Sequence, residues 1–155
     1  LKDAYCNPKP VQKPYPPIWI AGDSQPTQEL MVEHGDVWFM YSKAPDIVAD
    51  LIEGMRKKRK DPPFEVAVSA VGLADKSKEE TFEWAKMYAD ERKHRFPIPP
   101  TVDDVLDSNL TGDVAEVRAC LDAWIEAGVD HVVIQPMPPM EGMRFFGEKI
   151  IHHYA

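Results

Sequence analysis

Apolar residues in this chain gather into short continuous runs, and between the runs they recur at helical spacing. The runs are Ile18–Ala21, Asp36–Tyr41, Phe64–Leu73 and Val129–Pro136. They are rich in β-branched and aromatic residues and do not alternate strictly, the pattern of strands covered on both faces. Between them, Pro26–His34 carries Leu30 and Met31 on its apolar side and ends at Gly35, the expected C-terminal position. Asp46–Lys60 repeats Ile47, Val48, Leu51, Ile52 and Met55 at helical spacing, and Lys78–Lys93 does so with Phe82, Trp84, Ala85, Tyr88 and Ala89. A further helix begins at Thr111-Gly-Asp-Val, presents Val114, Val117, Leu121 and Trp124, and closes at Ala127-Gly128. Glu141–His153 is the last helix, with Phe145, Phe146 and Ile150 among its apolar residues.

The predicted order, β-α-β-α-β-α-α-β-α, is that of parallel βα units. Four strands in this order fit either a small open sheet or half of a (β/α)8 barrel, and pattern alone does not separate the two. Two proline-rich stretches interrupt the periodicity. Lys2–Pro17 contains Pro8, Pro10, Pro14, Pro16 and Pro17 and reads as an extended arm. Phe96-Pro-Ile-Pro-Pro100 reads as a surface excursion.

Composition narrows the function classes. The 155 residues are 44% apolar and 28% charged, as in a soluble globular domain or a piece of one. A formal charge of −8 and a pI near 5.1 argue against a nucleic-acid partner, which would demand a basic face. The compact basic run Arg56–Lys60 reads as a solvated helix end. No stretch approaches a membrane span and no leader is visible, so a cytoplasmic location is expected. Cys6 and Cys120 have neither metal-ligand spacing nor a disulfide framework and read as reduced thiols. A start at Leu1 rather than Met points to a fragment or a processed product.

In parallel α/β architecture, function collects where strands end at their carboxyl termini. That nominates Gly22–Thr27, Tyr41–Pro45, Ala74–Ser77 and Gln135–Pro139. His34, Asp36, Asp130 and His131 fall at the opposite ends and read as structural. Tyr41, Ser42 and Lys43 are placed to line a pocket mouth. Met137 and Met140, flanked by prolines, would form an apolar rim.

The first loop carries the most chemistry. Gly22 permits a sharp turn, Ser24 stands at an N-cap, and Pro26 suits a first helical turn. Thr27 brings a second hydroxyl to the same helix end. Unpaired amides, a positive dipole end and two hydroxyls make an anion seat. A structural cap without a ligand accounts for the same residues. Asp23 opposes an anion unless its carboxylate turns elsewhere while its backbone amide contributes. No nucleotide fingerprint, metal motif or nucleophile elbow occurs.

The order of motifs resembles the bacterial luciferase-like flavin-dependent monooxygenases. "NPKPVQKPYPPIWIAGDSQPTQELMVEHGDVWF" is similar to the family's proline-rich arm, barrel strand, Ser-containing turn, helix and "G/A-D-x-W" strand. "LTGDVAEVRACLDAWIEAGVDHVVIQP" is similar to its closing unit, and "EGMRFFGEKII" to its terminal helix. The resemblance implies the C-terminal half of a (β/α)8 TIM-type barrel. Residues 1–155 would form a single partial domain, with 1–17 as the arm and 18–155 as units resembling strands five to eight.

It also implies reduced FMN as cofactor, held through its phosphate by Gly22, Asp23, Ser24 and Thr27, with the deazaflavin F420 as the alternative. The implied activity is oxygenation of a small organic substrate with O2, the reduced flavin coming from a separate reductase, in a homo-oligomer. A non-catalytic half-barrel that binds a flavin or phosphate, or serves in assembly, is the reading from another class. The family's catalytic histidine lies in its first four strands, so the resemblance assigns no catalytic residue here.

Overall fold

A computed structural model describes residues 5, 7–95 and 98–154, with the side chain of Ala74 outside the description. The elements are β1 (Trp19–Ala21), α1 (Gln25–His34), β2 (Val37–Tyr41), α2 (Pro45–Lys58), β3 (Glu65–Ala74), α3 (Lys78–Arg92), α4 (Val102–Asp107), β4 (Leu110–Gly112), α5 (Val114–Ala127) and β5 (His131–Pro136). The last helical stretch runs as α6 (Pro139–Phe145), a π-helical turn at Phe146–Ile151 and α7 (His152–Tyr154).

Every strand pairing among the described residues is parallel. β1 pairs with β2, β2 with β3, and β3 with β5, in register from Ala67↔His131 to Gly72↔Pro136. The sheet thus adds long strands in sequence order without a reversal. A doubly wound open sheet needs a reversal to place helices on both faces, whereas a barrel does not. The packing agrees with the barrel alternative. Met31 of α1, Ile52 and Met55 of α2, Leu121 and Trp124 of α5, and Phe146 and Ile150 near the carboxyl end share one core. The strand residues Trp38, Met40, Val66, Val68 and Ala70 belong to the same core.

The other face is concave. Trp19 on β1 and His131 on β5 have ring centroids 5.4 Å apart, although β2 and β3 lie between their strands. A flat sheet would separate those strands by about 14 Å. Asp36 and Asp130 tie the strand beginnings, each accepting a backbone N–H at 2.8 Å, from Ile18 and Val66 respectively.

Several expectations need correction. Among the described residues a short fifth strand joins the four expected ones, because Leu110–Gly112 pairs with Gly72–Ala74. Thr111 therefore lies in a strand, and the helix after it starts at Val114. Asp113 is its true cap: its carboxylate accepts from the Ala115 and Glu116 amides at 2.8 and 2.9 Å. A three-residue strand leaves no periodic signal, which is why it merged with the helix in the sequence. α4 escaped for the same reason.

α3 does not join the outer helical layer. Its Trp84, Ala85 and Ala89 form a second core with Val71 and Leu73 of β3 and Val105 of α4. α3 and α4 thus fold over the carboxyl end of β3 from the concave side, and α5 returns the chain to the outer layer.

The basic run is not merely solvated. α2 ends at Lys58, and the Arg59 guanidinium donates to the carbonyls of Met31 (3.0 Å) and Gly35, closing the end of α1, and to that of Pro62 (2.9 Å) in its own loop. Gly35 itself is extended, with φ −85°, rather than left-handed. The last helix begins at Pro139 rather than Glu141. Residues 96 and 97 of the expected surface excursion, and residues 1–4 and 6 at the start of the chain, lie outside the described residues.

Candidate functional site

β1, β2, β3 and β5 end together, and the loops that follow them build the site. Gly22 adopts φ +120°, open to glycine at little cost. Its N–H donates to the Phe39 carbonyl at 2.8 Å, and its carbonyl accepts from the Trp38 indole at 2.7 Å. A Cβ there would stand 3.3 Å from the Thr27 side chain. The turn is therefore held to β2 on both sides.

Ser24 occupies the N-cap of α1 with extended backbone, yet its side chain makes no cap hydrogen bond. It pairs with the Thr27 hydroxyl at 2.9 Å. α3, α4 and α5 differ: each closes its first turn with a reciprocal capping box. The first-turn amides of α1 thus lack the acceptor that a capping serine normally supplies. Asp23 turns its carboxylate onto Lys43 Nζ at 2.8 Å, and its backbone carbonyl accepts from Gln28 at 2.8 Å. Lys43 neutralises the one carboxylate in the turn, which removes the repulsion that Asp23 would otherwise exert on an anion.

Beside this turn lies a cavity of about 900 Å³, between the ends of β2, β3 and β5 and the α3–α4 excursion. Asp23, Tyr41, Ser42 and Lys43 line it, as does Gln135 at the end of β5. Gly22, Ser24 and Thr27 do not, so the hydroxyl pair lies next to the cavity wall at Asp23 and not in it. Ser77 caps α3 instead of lining the cavity. The expected methionine rim divides: Met137 packs against the second core, and Met140 is exposed.

Tyr88, Arg92, Arg95 and Asn109 are among the lining residues that the sequence did not nominate for the site. The Arg92 guanidinium lies 3.3 Å from the centroid of the Tyr88 ring, a cation–π stack. Burial pushes the Tyr88 phenol above its ordinary range, while Arg92 draws it back. Two arginines three residues apart carry no local signal of a cavity. Only the folding of α3 onto the concave side turns them inward. Among the described residues no helix is long and apolar enough to cross a membrane.

Parallel strands in sequence order, an outer helical layer and loops gathered at the carboxyl ends define an α/β protein with half of a (β/α)8 barrel. The model of the luciferase-like monooxygenase family matches residues 1–131, and the chain belongs to that family. Solved structures share the fold. An F420-dependent secondary alcohol dehydrogenase, solved with an F420–acetone adduct, superposes with a TM-score of 0.67 at 16% identity, over 87% of this chain and 48% of that one. The EDTA monooxygenase from Chelativorans sp. BNC1 gives 0.67 at 14% identity, over 94% and 45%. A long-chain alkane monooxygenase gives 0.65 at 14%, over 90% and 41%. The chain spans about half the length of these proteins, and its architecture is that of the C-terminal half of a (β/α)8 TIM-type barrel.

Proposed function

We propose that this chain supplies the cofactor-phosphate seat of a luciferase-like monooxygenase that uses reduced FMN and O2 to oxygenate a small organic substrate. One observation carries the reading. Ser24 and Thr27 hold their hydroxyls 2.9 Å apart at a helix start that neither side chain caps, on the loop face of a parallel barrel. Hydroxyls and amides converging on a positive helix end suit a phosphate monoester. Gly22 keeps the turn tight, and Lys43 holds the Asp23 carboxylate away from the seat.

The flavin, when bound, supplies the electrons that activate O2. This chain's residues would bind the phosphate, orient the rest of the cofactor toward the cavity and help exclude water there. A separate reductase as electron source and a homo-oligomeric assembly belong to the same reading.

A second reading keeps the seat and replaces FMN with F420, for hydride transfer instead of oxygenation. It is favoured by the likeness to the F420-dependent alcohol dehydrogenase. Both cofactors offer a phosphate to the same turn, so the seat does not choose between them.

Calorimetric titration of the protein with FMN and, separately, with F420 tests both. Replacing Ser24 and Thr27 together by Ala should weaken the bound cofactor about tenfold or more, since each lost hydrogen bond to a charged group is worth about 1.5–3 kcal/mol. Unchanged affinity would remove the phosphate assignment, and the tighter of the two ligands identifies the cofactor.

A further inference from the structure

The cavity beside the flavin seat has a basic end that the cofactor reading leaves unused. Arg92 and Arg95 project into it from the carboxyl end of α3 and the turn that follows. Tyr88, one turn earlier, stacks beneath Arg92, and Tyr41 lines the cavity from the end of β2.

Four carboxylates share the wall, and two of them are tied to partners. Asp23 pairs with Lys43 at 2.8 Å. Asp104 accepts both the backbone N–H and the hydroxyl of Thr101, at 2.8 and 2.7 Å. Asp107 closes α4 on the side of the wall that carries Val105 and Asn109. Asp46 stands in the first turn of α2, where the helix dipole offsets its charge. The charged groups that act on the Tyr88 phenol are Arg92 and Arg95, with Tyr41 beside them and no carboxylate.

Arginine is the side chain best shaped for a carboxylate or sulfonate, because its planar fork donates two parallel hydrogen bonds. Arg92 is also pre-organised. Its stack on Tyr88 fixes the guanidinium plane, so less freedom is lost when an anion binds. Its nearest acidic neighbour, Glu91, is 4.0 Å away, too far for a strong pair. Beyond the arginines, Ile47, Val71 and Val105 give the cavity apolar wall.

We infer that this cavity takes an organic anion, its carboxylate or sulfonate head held between Arg92 and Arg95 with the phenols of Tyr41 and Tyr88, and its apolar body lying on Val71 and Ile47. As a substrate subsite this rests on the oxidoreductase reading above, but the anion site itself does not require the flavin.

The test is calorimetry on the protein with hexanoate, hexanesulfonate and 1-hexanol, whose tails match. Both anions should bind at least about tenfold more tightly than the alcohol at low salt. The preference should shrink as KCl is raised and the charges are screened. Arg92→Gln/Arg95→Gln should abolish the preference, and Arg92→Lys/Arg95→Lys should restore part of it. Arg95 is exposed, so Arg95→Gln alone should reduce the preference without loss of fold, as judged by the thermal midpoint.

Equal binding of hexanol and hexanoate, or an anion preference that survives Arg95→Gln and the double Gln variant, would overturn the proposal. FMN titration of the same samples separates the two readings. Normal FMN binding without anion preference removes this site alone. Arginine-dependent anion binding without FMN binding keeps the site and removes the flavin reading.

Discussion

The side-chain amide of Asn109 stands in for a strand on the edge of β3. Its Oδ1 accepts the Val71 N–H at 2.9 Å, and its Nδ2 donates to the Val105 carbonyl at 2.7 Å. On this edge β2 has left after Ser69, and β4 has not begun until Gly72. Without Asn109, a buried backbone donor would lie bare in the gap.

Asn109→Ala should therefore cost about 2–4 kcal/mol, because a buried N–H and a helix-end carbonyl both lose their partner. Urea unfolding measures it. A loss below half a kilocalorie would mean that water replaces the amide. The cavity wall runs through Asn109, so the variant should also weaken whatever ligand the cavity holds.

Arg59 joins the end of α2 to the end of α1 through the carbonyls of Met31 and Gly35, and to its own loop through that of Pro62. Arg59→Ala should lower stability by about 2 kcal/mol. Arg59→Lys should recover less than half of that, since one ammonium group cannot span the same acceptors. The unfolding midpoints of the two variants in urea decide it, and equal midpoints would reduce the contact to a charge effect.

Gly72 is required for lack of room. A Cβ on it would meet the Phe146 ring at 2.4 Å and Ile134 at 2.8 Å, both packed in the core. Gly72→Ala should destabilise by about 1–3 kcal/mol, the usual range for overpacking. Adding Phe146→Leu should restore part of the loss. A double variant no more stable than Gly72→Ala would place the conflict elsewhere.

Burial, with Asp107 adding to it, pushes the Cys120 thiol up to about 11. An unfolded thiol titrates near 8.5. The fold therefore disfavours the thiolate: the associated stability is complete below the unfolded value and is lost as pH rises toward 11. In a Cys6→Ser background, Cys120 should react slowly with a thiol reagent at pH 8 until urea unfolds the chain. Wild-type stability should also fall more between pH 8 and 10.5 than that of Cys120→Ser. Parallel curves would show that the thiol is not held neutral.

The concave face exposes Trp19, Tyr41 and Val133. β1 and β5 each leave one edge unpaired among the described residues. The 155-residue chain by itself should bind a hydrophobic dye or self-associate in sedimentation. A monomer that binds no dye would count against an open half-barrel.

What the sequence determined by itself was the alternation of strands and helices and the loop face of the sheet. These depend on local periodicity and on the fixed handedness of parallel βα units, which neighbouring residues suffice to specify. Gly22, Ser24 and Thr27 were legible for the same reason: a turn and a helix start are local. Tertiary structure alone decided that Ser24 bonds Thr27 instead of capping, and that Lys43 neutralises Asp23. It also decided that α3 crosses to the concave side, carrying Arg92 and Arg95 with it, and that Asn109 fills a gap in a sheet edge. Each of those outcomes depends on a partner distant in the chain or on which sheet face a helix meets, and periodicity carries no record of either.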